Sequence, residues 1–161
     1  MNMNNTRRTY DMSTRARASA ETAERIVDAY VQLFWEQVSD QITLDEVAAR
    51  AGVTVQTILR KFGSKERLFA AAVERESTRI GKQRSQAPPG DPDTAVSVLL
   101  DHYEEMGDAV LRLLAEEGRN PAVDQVINLA RASHRQWCEH VFHQTLLNIE
   151  GDARSVRLAQ F

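Results

Sequence analysis

Between Thr43 and Ser64 the chain carries helix start and stop signals so closely spaced that only short helices joined by sharp turns satisfy them. Thr43 and Glu46 form a T-x-x-E capping box, in which the threonine hydroxyl accepts from the backbone of Glu46 and the carboxylate answers to the cap. Leu44, Val47, Ala48 and Ala51 recur at helical steps and make one apolar stripe. Gly52 follows, able to take the left-handed conformation that stops a helix in one residue. Val53 is a hydrophobic plug, and Thr54 caps a second short helix, Val55 to Phe62, whose Ile58 and Phe62 stand four apart. Gly63 ends that helix, and Ser64 caps another with the apolar face Leu68, Phe69, Ala72 and Val73.

The same punctuation organises the rest of the chain. Glu21 to Gln37 has apolar residues at three- and four-residue steps and predicts a first helix. Met1 to Ala20 has no hydrophobic period and carries Arg7, Arg8, Arg15 and Arg17 against Asp11, so residues 1–20 are expected to form a flexible basic arm. Lys82 to Pro92, with Pro88, Pro89, Gly90 and Pro92, has the composition of a linker. Asp91 and Pro92 start a helix expected to be interrupted near Gly107 and closed by Gly118; Asn120 and Pro121 start the longest, broken by Gly151. Ala153 to Phe161 resumes a helical pattern and stops without a cap. With no strand-period segment, the expected fold is all-α, a first domain over 21–84 followed by a second over 85–161.

Composition narrows the function. No apolar stretch approaches the roughly 20 residues of a membrane helix, and Met1 to Ala20 lacks the apolar middle of a signal peptide, so a cytoplasmic protein without a membrane partner is expected. The single cysteine, Cys138, makes neither an internal disulfide nor a CxxC pair. The net charge of −3 argues against phosphate binding until the chain is divided. Met1 to Ser85 holds 14 Lys and Arg against 11 Asp and Glu, whereas Gln86 to Phe161 holds 6 against 12. Between Arg50 and Arg67 five basic residues accompany one acid, Glu66.

A helix, a glycine turn and a second short helix, braced by a preceding helix, is the layout of a helix-turn-helix, whose second helix enters a major groove about 12 Å wide. Its exposed positions suit that task. Gln56 can pair with adenine N6 and N7, Val55 can touch a thymine methyl, and Thr57 and Arg60 can reach bases or phosphate. Thr43, Thr54, Lys61 and Lys65 are expected to complete the DNA-binding set, Lys65 from a helix N-terminus that already favours anions.

Ile42 to Val73, ITLDEVAARAGVTVQTILRKFGSKERLFAAAV, resembles the TetR family of transcriptional regulators: a Thr-led helix, A-x-x-A-G-V-S/T, a recognition helix ending in Phe, and S-K-E-x-L. Glu21 to Gln37 is similar to the family's first helix. Where the family commonly reads T-L-Y-x-H-F, this chain has Thr57, Ile58, Leu59, Arg60, Lys61 and Phe62, so Leu59 and Lys61 replace two phosphate-touching side chains. The resemblance implies a ligand-responsive repressor that binds a palindromic operator on double-stranded DNA as a homodimer. It also implies a second helical domain that binds a small-molecule effector and dimerises. Family members continue through further helices, so that domain is expected to be incomplete at Phe161. The implied protein is not an enzyme and needs no cofactor.

Candidates for the effector pocket are Tyr103, Met106, His134, Trp137, Cys138 and Val141, which combine apolar bulk with a few polar handles; plain core is the competing reading. A second alternative is a helical enzyme or metal-binding protein built on His134, Cys138, Glu139, His140 and His143. His134 with Cys138, and Glu139 with His143, have the i, i+4 spacing of metal pairs, but the pairs fall on different helix faces. No H-E-x-x-H, phosphate loop or nucleophile signature accompanies them, so no catalytic or metal-ligating residue is assigned. A helical adaptor that binds protein is a third alternative, and it leaves the exposed Gln56, Thr57, Arg60, Lys61 and Lys65 without a role.

Overall fold

The computed structural model describes residues 6–147. It is all-α, with the order α1 (Thr6–Glu36), α2 (Leu44–Ala51), α3 (Val55–Phe62), α4 (Lys65–Arg84), α5 (Pro92–Ala115), α6 (Pro121–Val141) and α7 (His143–Leu147). No strand occurs among the described residues. The chain divides into two compact units, 1–72 and 73–161, the division falling within α4.

The first unit is built as its caps dictate. Thr43 Oγ1 accepts from the backbone of Glu46 at 3.2 Å, and Glu46 Oε2 accepts from the Thr43 backbone at 2.8 Å. Gly52 takes φ 65° and its N–H reaches back to close α2, while the Thr54 side chain caps α3. Ile26, Tyr30 and Leu33 of α1, Ile42, Val47 of α2, Ile58 of α3 and Leu68 of α4 form one buried core. Phe69 closes it against Tyr30 and Phe34, with ring centroids 6.1 and 6.3 Å apart.

In the second unit Asp91 caps α5 by accepting from the Thr94 backbone at 3.0 Å, and Asn120 caps α6 by accepting from Ala122. The Asp124 carboxylate accepts from the Gly118 N–H at 2.8 Å. Ala87, Ala95, Val98 and Val141 bury together, with Trp137 and Phe142 packed on them.

Four expectations are corrected. Residues 6–20 are helical rather than a flexible arm. Arg15, Ala16, Arg17, Ala18 and Ala20 are strong helix formers, and a helix nucleated by the buried face from Ile26 onward elongates at little cost. The Arg17–Glu21 pair adds an i, i+4 contact at 3.6 Å. The Pro-rich stretch is fastened rather than loose, since Ala87 is buried and Gly90 N–H donates to the Val141 carbonyl at 2.9 Å. Gly107 lies inside an unbroken α5, where tertiary packing overrides its weak propensity. α1, with 31 residues, is the longest described helix, because it begins at Thr6 rather than near Glu21, while α6 ends at Val141 after 21 residues. The predicted break at Gly151 and the segment Ala153 to Phe161 lie outside the described residues.

Ile58→Ala should cost about 2–5 kcal/mol in urea unfolding, because Ile58 is 0% exposed and its removal leaves a cavity. Gly52→Ala should cost about 1–2 kcal/mol from the left-handed backbone alone, since an added Cβ there meets nothing within 4 Å.

Candidate nucleic-acid interface

An eight-residue helix has about two turns, so its faces are set by few side chains. Ile58 of α3 points fully inward, and Val55 and Phe62 lean on the same core. The opposite side presents Gln56, Leu59 and Arg60 to solvent, at the i, i+3 and i+4 positions of one face. Leu59 is 42% exposed, an apolar group displayed where the packing of the unit does not require one. It suits a sugar or thymine methyl.

The other predicted positions divide. Thr54 and Thr57 belong to the start of α3: the Thr54 hydroxyl accepts from the Thr57 N–H at 3.2 Å and lies 3.0 Å from the Thr57 hydroxyl. Thr43 is exposed at the start of α2, but its hydroxyl also donates to Glu46 Oε2 at 2.8 Å. Lys65 is the first residue of α4 and half-buried, beside Ser64, whose hydroxyl accepts from the Arg67 N–H. Lys61 is directed to α1, where its Nζ donates to the Ser19 carbonyl at 2.6 Å and to Ser19 Oγ at 2.8 Å. An ammonium has three donors, so one remains.

The local positive charge is smaller than the residue count suggests. Arg50 pairs with Glu36 of α1 at 2.7 Å, and the carboxylate it meets is held below its usual pKa by that hydrogen bond. Glu66 is held low in the same direction by the Ser64 side chain and by its own backbone N–H. Arg60, Lys61, Lys65 and Arg67 therefore carry the surplus around α3. The Arg50–Glu36 pair and the Lys61–Ser19 contacts were not legible in the sequence, because their partners lie 14 and 42 residues away.

In the second unit the proposed pocket residues do not form one set. Met106, Cys138 and Val141 are buried, whereas Tyr103 is 49% exposed. His134 and Trp137 stack with centroids 6.2 Å apart, and Cys138 Sγ lies 3.6 Å from His134 Nε2. Arg84 joins them: its Nη2 is 3.2 Å from His134 Nδ1, its guanidinium lies 5.6 Å from the Trp137 ring centre, and its carbonyl accepts from Trp137 Nε1. Sequence reading missed Arg84, which at the end of a polar helical run has no periodic signal. Glu139, His140 and His143 are exposed whereas Cys138 is buried, and no group of three ligating residues able to hold a metal occurs among the described residues.

Residues 26–72 match the model of the bacterial regulatory proteins of the tetR family. The HTH-type transcriptional repressor BepR of Brucella suis is 34% identical over 128 residues, which are 80% of this chain and 56% of that protein. The HTH-type transcriptional repressor KstR of Rhodococcus jostii is 38% identical over 73 residues, 45% of this chain and 34% of that one. The chain thus spans between a third and just over half of these relatives. The fold is shared with a tetR-family transcriptional regulator from Streptomyces coelicolor, at TM-score 0.65 and 19% identity, covering 87% of this chain and 65% of that one. A transcriptional regulator from Rhodococcus gives TM-score 0.67 at 19% identity, covering 86% and 76%.

The capping box makes α2 acid-sensitive. The Thr43 backbone and hydroxyl hold the Glu46 carboxyl below its usual value. A depressed folded-state pKa contributes stability above the ordinary carboxylate pKa of about 4.3, lost as pH falls through the depressed value. Urea midpoints measured from neutral to acid pH should fall less steeply in Glu46→Gln than in the parent chain.

Proposed function

The chain belongs to the TetR family of bacterial regulatory proteins, and from that premise we propose that it is a cytoplasmic, ligand-responsive transcriptional repressor that binds a palindromic operator as a homodimer. The observation that carries the DNA-binding part is the two-sidedness of α3: Ile58 fixes the helix to the core while Gln56, Leu59 and Arg60 face outward together. Gln56 reads bases, Thr57 and Arg60 reach bases or phosphate, and Thr43, Thr54, Lys61 and Lys65 position the duplex backbone; Val55, expected at a thymine methyl, leans on the core instead. Repression is supported by the names of the relatives, two of which are repressors.

A symmetric dimer fills successive major grooves when its recognition helices stand about 34–36 Å apart, one turn of DNA. Support for a dimer comes from α5, which exposes Val96, Leu100, Tyr103, Leu111 and Leu114. Their spacing places all five on one side of the helix, an apolar face of the kind that association covers. The effector acts from residues 85–161, among Met106, His134, Trp137, Cys138 and Val141, whereas Tyr103, expected with them, lies on the exposed face of α5. It shifts the protein between states only by its differential affinity for them. No described helix is long and apolar enough to cross a membrane, consistent with a regulator that meets DNA.

A gel-shift assay on palindromic DNA upstream of the coding sequence tests this reading. Affinity should fall steeply with salt, and Lys65→Ala should lower the slope of log K against log salt by about 1 for every sequence. Gln56→Ala should instead relax preference at one base pair, by about 1–3 kcal/mol. Binding that ignores salt and both substitutions would overturn it.

A further inference from the structure

Two arginines five residues apart on α4 meet opposite fates. Arg79 is supplied with two carboxylates, Glu76 at 2.9 Å and Glu105 at 2.8 Å, and its charge is thereby balanced. Arg84 is more deeply buried, yet no ion pair among the described residues includes it. Its Nε is buried without a hydrogen-bond partner among the described residues. The groups facing it are neutral: burial and the positive charge of Arg84 both lower the His134 pKa, and burial raises that of Cys138. Burial likewise lowers the pKa of Arg84 itself, the mark of a guanidinium short of an anion.

We propose that Arg84 anchors a small organic carboxylate whose apolar body lies against Trp137, an inference that deepens the ligand-responsive reading above and rests on it for its regulatory consequence. Nε and Nη2 share one edge of the guanidinium, and a carboxylate accepts from such an edge through two parallel hydrogen bonds. Nη2 now lies against His134 Nδ1, a neutral acceptor 3.2 Å away. A carboxylate is the stronger acceptor and also satisfies the orphaned Nε–H. Trp137 is half-buried, with His134 stacked on its ring and Phe142 edge-on at 6.4 Å, so the apolar body takes the place on that ring which His134 vacates. Displacing His134 from Arg84 loosens a contact between α4 and α6 at the moment the anion binds.

Calorimetry on the full chain, with benzoate and octanoate as probes and benzamide as the uncharged control, tests the site. Benzoate or octanoate should bind and benzamide should not. Arg84→Lys, which keeps the charge and loses the paired donors, should weaken binding about tenfold or more, and Arg84→Met should abolish it. Unchanged helical circular dichroism shows that both variants fold. Equal binding of benzoate and benzamide, or binding that survives Arg84→Met, overturns the proposal, as does the absence of Arg84-dependent heat from either carboxylate. A gel shift on operator DNA separates the two readings. Arg84-dependent binding without DNA release supports the site and removes its regulatory role. Release by an uncharged compound acting on Arg84→Met keeps the regulator and overturns the anion site.

Discussion

The burial of Ile58 is the contact on which the proposed interface depends. Eight residues are too few for a helix to persist in water through its own hydrogen bonds, so α3 exists as a helix because its neighbours hold it. Ile58 is its fully buried side chain, received by Ile26, Tyr30, Val47 and the rest of the first core. Everything the helix shows to solvent is positioned by what that one residue hides. The caps at Thr43 and Thr54 and the turn at Gly52 then set the angle at which α3 leaves α2. A short helix held in this way presents its outer side chains from a nearly rigid platform, which is what recognition through a few base contacts demands.

The helix pair was legible in the sequence because every signal in it is local. A capping box, a left-handed glycine and an i, i+4 apolar pair each act within a few residues, and each appears where the letters place it. Signals that depend on distant partners were not legible. The helical state of residues 6–20 follows from elongation of a helix anchored further along, which hydrophobic periodicity cannot register in a polar run. The fastening of the Pro-rich stretch depends on a carbonyl some fifty residues away, at Val141. Arg84 carries no sequence signal at the end of α4, and only the folded second unit shows that Trp137 and His134 lie against it. Charge was legible in sum but not in effect, since Arg50 is neutralised by Glu36 across two helices.

Net charge and local charge also act over different ranges here. The acidic composition beyond Ser85 keeps the whole molecule negative, while Arg60 and its neighbours shape the field within a Debye length, about 8 Å at physiological salt.

The contact between Lys61 and Ser19 has a consequence for the proposed docking of DNA on α3. A phosphate that approaches Lys61 meets an ammonium already bonded to a carbonyl and a hydroxyl of its own chain. Transfer of those bonds to phosphate exchanges one bonded state for another, so the enthalpy gained is the difference between them. What the contact supplies beforehand is order: the long side chain is held along α1, and the end of α3 is braced against that first helix. The rotamer entropy of a free lysine is surrendered during folding rather than during docking.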